Sequence, residues 1–188
     1  IMNSRHLLTD ACGIHLPSWK DALDDCKKPA DMNALIQFMS SNEFPHTVLV
    51  DCTANESVAS RYLDVMKAGM HVITPNKRAG SGEGAYYQAL HHFAKKEQRH
   101  FLYETTVCAG LPVIGTLQDI LRTGDRVDKI EGGVSGSLSY IFFALASGAR
   151  FSEAVFQAKE KGFTEPDPRD DLSGRDVGRK MVCLAREL

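Results

Sequence analysis

Two short apolar runs, TVLVDCT (Thr47 to Thr53) and HVITP (His71 to Pro75), are rich in β-branched residues and close on polar ones. Between them NESVASRYLDVMKAG sets Val58, Tyr62, Val65 and Met66 on one helical stripe and stops at Gly69. Runs this short and continuous suit buried parallel strands, and strand, helix and strand in that order make a βαβ unit. The alternation extends both ways. ADMNALIQFMSSNEF places Leu35, Ile36 and Met39 on one side of a helix, GAYYQALHHFAKKEQ supplies another, and HFLYETTV reads as a strand. Helix and strand alternate from residue 31 to 107, which predicts an α/β fold built on a doubly wound parallel sheet.

After Gly110 the pattern changes. LPVIGTLQDILRTGD predicts a helix through Val113, Leu117, Ile120 and Leu121, followed by a strand-like RVDKIEGGVSG. Two helical patterns come next, SLSYIFFALASG and FSEAVFQAKEKG, and VGRKMVCLAREL is a last one. A domain boundary is expected near Cys108 to Leu111, leaving 1–109 as one domain and 110–188 as part of a second. The chain opens IMNSRHLL without an initiator Met and closes inside a helical pattern, so it reads as a piece of a longer polypeptide.

With 22 Lys+Arg against 24 Asp+Glu the net charge is −2, too small to direct the chain to nucleic acid or an anionic membrane. Small ionic ligands fit that balance. Five cysteines, Cys12, Cys26, Cys52, Cys108 and Cys183, form no CxxC or CxxH pair and suit reduced thiols in a cytoplasmic enzyme. No run approaches the roughly 18 apolar residues of a membrane span, and no basic-then-apolar leader is present.

Ligands of open parallel sheets gather beyond the carboxyl ends of the strands. DCT ends one strand there and TPNK the other, so Thr53 offers a hydroxyl and Lys77 an ammonium at the same rim. On TPNK alone, an ordinary strand exit with a surface lysine is slightly the better reading. GSGEGA, residues 80 to 85, matches a dinucleotide fingerprint only formally, because it does not join strand directly to helix. It reads as a flexible loop and helix entry, and a true fingerprint is expected upstream of Ile1. If Ile1 and Met2 end a strand, Arg5 falls where an adenosine 2′-phosphate would be read, with a solvent-exposed arginine equally expected. YETTVCAGLP, Tyr103 to Pro112, could turn several carbonyls inward as hard cations prefer, although composition alone does not show it.

FTEPDPRDDLSGRDVGRK, Phe163 to Lys180, is the densest stretch of charge. Its prolines bias Thr164 and Asp167 away from helix and hold Glu165 and Asp167 in an extended or turning chain. Asp176 and Lys180 stand four apart on one helix face, beside an apolar stripe of Val177, Met181, Leu184 and Leu188. Partial desolvation there moves a lysine toward use as a proton donor. A surface i, i+4 salt bridge worth a few tenths of a kcal/mol is the plain alternative.

VDCT, TPNK, YETTVCAGLPVI, SGSLSYIF and above all GFTEPDPRDDLSGRDVGRK, running in order from about Asn3 to Leu188, resemble homoserine dehydrogenase, particularly the form fused behind an aspartokinase. The resemblance implies a truncated Rossmann-like dinucleotide-binding domain followed by part of an α+β substrate-binding and dimerisation domain. It also implies NAD(P)-dependent reduction of L-aspartate 4-semialdehyde to L-homoserine by a cytoplasmic homodimer. Among site residues it implies Lys180 as the acid/base and Lys77 as a second lysine at the cofactor and carbonyl. Glu165 and Asp176 would hold the substrate ammonium, with Asp171 in support. Thr53 and Gly162 would touch the cofactor, and the carbonyls of Glu104, Val107, Ala109 and Leu111 would hold a sodium ion.

Three positions depart from the pattern. Cys108 stands where the family usually has glycine, and Gly133 and Gly178 replace larger residues, the second weakening the helix that carries Lys180. Two other readings share the fold: an oxidoreductase acting on another amino-acid aldehyde, and a ligand-sensing or assembly module without catalysis.

Overall fold

The computed structural model describes residues 1–41, 44 and 46–188. Three strands, β1 (Val48–Val50), β2 (His71–Ile73) and β3 (Phe101–Leu102), form a parallel sheet in the order β1-β2-β3. Val48 lies opposite His71 and Val72 opposite Phe101, so Leu49, Val72 and Phe101 share one face. That face meets the core, where Val72 is fully buried with Tyr62, Val65, Met66 and Leu90. Val48, Val50, Ile73 and Leu102 point the other way and are exposed.

Two short helices, α1 (Trp19–Asp24) and α2 (Met32–Met39), precede the sheet. Asp31 caps α2 by accepting from Asn33 N–H. The tail of the ADMNALIQFMSSNEF pattern at 42 and 43 lies outside the described residues.

The expected single helix between β1 and β2 is instead a pair, α3 (Glu56–Ala59) and α4 (Tyr62–Lys67). The break falls at Ser60, whose hydroxyl donates back to Ser57 O, and at Arg61, whose guanidinium reaches forward to Asp64. Between β2 and β3 run α5 (Lys77–Ser81) and α6 (Gly84–Lys96). GSGEGA is therefore no flexible loop: Gly80 and Ser81 finish α5, Gly82 caps it, and Gly84 begins α6. HFLYETTV is a strand only over its first apolar pair. The chain then coils into a 3-10 turn at Glu104–Thr106.

Beyond the sheet come α7 (Val113–Arg122), α8 (Gly136–Ala146), α9 (Phe151–Glu160), α10 (Pro168–Leu172) and α11 (Arg175–Ala185). α8 and α9 pack around Ile141, Ala154 and Ala158, whereas Ile114 and Leu117 of α7 and Cys183 and Leu184 of α11 join the core beneath the sheet. RVDKIEGGVSG forms no strand. A strand persists where a neighbour takes its backbone hydrogen bonds, none of the described strands runs alongside, and Ile130 stays exposed. α10 was hidden in the acidic stretch: Asp167 caps it through Arg169 N–H and Pro168 occupies its first position, where a missing N–H costs nothing. No helix among the described residues is long and apolar enough to cross a membrane.

Candidate active site

The site begins with a buried carboxylate at the end of β1. Asp51 is 3% exposed. Its Oδ1 accepts from Thr53 N–H at 2.7 Å, and its Oδ2 accepts from the Tyr62 hydroxyl and from Asn76 Nδ2 at 3.0 Å. Thr74 Oγ1 donates to Asp51 O and accepts from Asn76 N–H at 2.8 Å. Burial and then the Asp51 carboxylate push the Tyr62 phenol well above its ordinary range, so it stays a donor. This network ties the ends of β1 and β2 together and fixes Asn76. Asn76 in turn caps α5 by accepting from Arg78 N–H, which sets Lys77 at the head of that helix.

Lys77 is turned inward. Its Nζ lies 3.1 Å from Glu165 Oε1 and 3.1 Å from Asp176 Oδ1. Asp176, in the first turn of α11, gives its other oxygen to Lys180 Nζ at 2.6 Å, and that ammonium also donates to Val134 O at 2.7 Å. One carboxylate, 3% exposed, thus joins two ammonium groups. Burial works against the charge on Lys77, but Asp176 and Glu165 outweigh it and hold the amine above its ordinary value. Burial likewise works against the Asp176 carboxylate, and hydrogen bonds from the two lysines hold it below the usual carboxylate range.

The inward face of α11 carries Asp176, Lys180, Cys183 and Leu184, while Met181 and Leu188 are exposed. The apolar stripe expected through Met181 and Leu188 is corrected accordingly. The acid and base are part of the buried face because Lys77, Glu165 and Val134 O satisfy them there.

Asp171 is also 3% exposed, and both its oxygens are committed. Oδ1 accepts from Ser137 Oγ at 2.6 Å and Oδ2 from the backbone N–H of Glu165 at 2.8 Å. Ser137 leans on Ser135, the cap of α8, at 3.0 Å. Asp171 thereby pins the main chain that carries Glu165.

Two cavities meet at Lys77. One, of about 380 Å³, is bounded by Lys77, Thr106, Cys108, Ala109, Val134 and Lys180. The other, of about 540 Å³, lies beyond β1 and β2 and is bounded by Thr53, Asn76, Arg78, Glu165, Asp176 and Arg179. Lys77 and Lys180 can therefore present ammonium groups to a bound oxygen, while Glu165 and Asp176 can receive a cationic group. The larger cavity suits a cofactor, having a hydroxyl, two arginines and a strand-end location.

The loop from Glu104 to Leu111 turns sharply because Cys108 and Ala109 take φ of +59° and +51°. Glycine adopts that conformation freely and other residues rarely. The Glu104 carboxylate is committed to the N–H groups of Ile114 and Gly115 at 2.7 Å each, capping α7. The carbonyls of Val107 and Ala109 accept no hydrogen bond among the described residues, whereas Leu111 O accepts from Val113 N–H. Free carbonyls in a tight turn fit a hard cation.

Two expected residues stand apart from these cavities. Arg5 is exposed in a turn closed by Asn3, with its backbone O accepting from Ala30 N–H, and Gly162 is an exposed residue with φ +70° ending α9. Ile1 and Met2 do not end one of the described strands; Met2 bridges back to Leu7 in an antiparallel turn. The Asp51 network and the role of Ser137 escaped sequence reasoning. Asp51 directly follows β1, but Tyr62 looks like any apolar helix residue until its hydroxyl is placed.

Known proteins share this architecture. The profile described as "Homoserine dehydrogenase, NAD binding domain" matches residues 1–104, and that described as "Homoserine dehydrogenase" matches 112–188. The bifunctional aspartokinase/homoserine dehydrogenase of Haemophilus influenzae is 50% identical over 187 residues, 100% of this chain and 23% of that protein. A chloroplastic bifunctional enzyme of Zea mays is 50% identical over 188 residues, 100% of this chain and 20% of its own length. The chain thus spans about a fifth of the length of such relatives. Among solved structures, a Candida auris protein of unknown function superposes with a TM-score of 0.83 at 38% identity, covering 98% of this chain and 52% of its own. A hyperthermophilic archaeal homoserine dehydrogenase in complex with NADPH superposes with a TM-score of 0.73 at 27% identity, covering 88% of this chain and 49% of its own.

Proposed function

This chain belongs to the homoserine dehydrogenase family, and we propose that it is the central part of a unit that reduces L-aspartate 4-semialdehyde to L-homoserine with NADPH or NADH. The observation that carries this reading is the buried Asp176 carboxylate shared by Lys77 and Lys180 where two cavities meet.

The substrate brings an ammonium, a carboxylate and an aldehyde. Glu165 and Asp176 take the ammonium by charge-assisted hydrogen bonds, and Asp171 supports them by fixing the Glu165 main chain. Lys180, at the wall of the smaller cavity, gives a proton to the aldehyde oxygen as it becomes an alkoxide and is left as the neutral amine. Lys77 stands at the junction with the cofactor cavity and stabilises the developing negative charge. The nicotinamide cofactor supplies the hydride. Thr53 and Asn76 line its place, and the NADPH-bound archaeal relative supports a place for NADPH here. Gly162 and Arg5, outside the lining of that cavity, are proposed as further cofactor contacts. A sodium ion held by the carbonyls of Glu104, Val107, Ala109 and Leu111 would brace the loop beside Cys108.

The relatives' fusion to an aspartokinase supports the same fusion here, and we take 1–109 as the dinucleotide-binding part and 110–188 as part of the substrate-binding and dimerisation domain of a homodimer. The test is the full-length protein assayed with L-aspartate 4-semialdehyde and NADPH beside other amino-acid aldehydes. Turnover greatest with the four-carbon aldehyde is expected. No turnover with any aldehyde would overturn the reading in favour of a non-catalytic module.

A further inference from the structure

The spacing of the two lysines depends on how α11 seats on α5, since Lys77 heads one helix and Asp176 and Lys180 lie in the other. The seat is built from the GSGEGA stretch. Gly80 is buried against α11, and a Cβ there would stand 2.9 Å from the sulfur of Cys183, which is itself 1% exposed. Only a residue without a side chain lets the helices approach this closely.

The same stretch offers unpaired carbonyls at the end of α5, and the residue that takes them follows α11 directly. Arg186 donates through Nη1 to Gly80 O at 2.6 Å and through Nη2 to Gly82 O at 2.7 Å, with its guanidinium 5.1 Å from the centre of the Tyr87 ring. Its neighbour Glu187 takes hydroxyl and amide partners from α6, α7 and Tyr103. Glu187 Oε1 accepts from the hydroxyls of Tyr103 at 2.6 Å and Tyr87 at 3.2 Å, and Oε2 accepts from Gln118 Nε2 at 2.8 Å. Burial and the Glu187 carboxylate raise the Tyr87 phenol to about 12, so both tyrosines remain donors across the neutral range.

We infer that Arg186 is a positioning latch that clamps the end of α11 onto α5, with the carbonyls of Gly80 and Gly82 as its seat and Glu187 tying the same end to α6, α7 and Tyr103, and that it thereby sets the Lys77–Asp176–Lys180 spacing. The inference rests on the reading of those three residues as the reacting cluster. Arg186 and Glu187 touch neither cavity and act through the helix they hold. A planar two-armed donor is required, because a lysine ammonium is a point charge that cannot take both carbonyls in the same fork geometry.

The test uses the full-length enzyme with Arg186→Met, Arg186→Lys, Glu187→Gln and Gly80→Ala, and Lys180→Ala as control. Loosening the clamp by about 1 Å is expected to lower kcat by roughly 10-fold to 100-fold. The KM for NADPH should move less than kcat, because Thr53 and Asn76 are held separately by the Asp51 network. Arg186→Lys should recover little of the loss, Glu187→Gln should show a smaller loss of the same kind, and Gly80→Ala should reproduce it by wedging the helices apart. Independently of turnover, labelling of Lys77 by an amine reagent at pH 8, mapped by mass spectrometry, should quicken by about tenfold in Arg186→Met for each unit by which its pKa relaxes.

Unchanged kcat and unchanged Lys77 labelling in Arg186→Met, with Lys180→Ala inactive, would overturn the latch and leave the cluster standing. Full activity in Lys180→Ala would overturn the cluster itself. If Arg186→Met does not fold, the same two readouts in Arg186→Lys and Glu187→Gln decide.

Discussion

The ammonium of Lys77 sits 3.1 Å from Oδ1 of Asp176, although one residue heads α5 and the other lies in the first turn of α11. That contact closes the charged cluster, and removing its carboxylate leaves two inward-turned cations without their shared partner. Asp176→Ala is therefore expected to destabilise the fold by about 3–5 kcal/mol, the range for breaking a buried ion pair from one side. Urea denaturation of the purified variant measures it.

The same pair gives stability a defined pH dependence. Asp176 is held below its ordinary value of 3.8, so its contribution is complete above that value and fades as pH falls through the lowered one. Lys77 is held above its ordinary 10.5, so its contribution is complete below that value and fades as pH rises through the raised one. The stability difference between the wild type and Asp176→Asn should be flat between these limits and shrink in acid below pH 3.8. Denaturant midpoints across the acid range check this.

Ser137 offers a cleaner perturbation because it touches Asp171 and neither lysine. Ser137→Ala removes a 2.6 Å hydrogen bond to a buried carboxylate, a change expected to cost about 1.5–3 kcal/mol. Glu165 should then be held less firmly, raising the KM for the amino-acid aldehyde more than that for NADPH. Steady-state kinetics with each substrate varied separates the two.

Gly178 lies in α11, and a Cβ built there meets no atom within 4 Å. Gly178→Ala should stabilise the protein by about 0.5–1 kcal/mol through helix propensity alone. A rise in melting temperature without change in KM is the expected result.

What the sequence disclosed was whatever depends on near neighbours. Asp176 and Lys180 are one helical turn apart, so their pairing could be read from spacing, as could the stripe through Tyr62, Val65 and Met66. Lys77 reads as an ordinary strand exit because its partners are brought to it by the fold. Asp171 looks like one more acid in a crowded loop until Ser137 arrives from α8. RVDKIEGGVSG carries a strand-like composition, yet composition cannot supply the neighbouring strand that pairing requires. GSGEGA was legible as glycine-rich, but the reason for Gly80 lies in Cys183, a hundred residues on, and the reason for Gly82 in the carbonyl of Arg78.

Lys180 is proposed to deliver the proton to the substrate oxygen. Turnover of the full-length protein with L-aspartate 4-semialdehyde and NADPH, compared with its Lys180→Ala variant, tests it most directly. A loss in kcat of about 10²–10⁴-fold with NADPH affinity retained is the predicted result, and undiminished turnover in the variant would contradict the account.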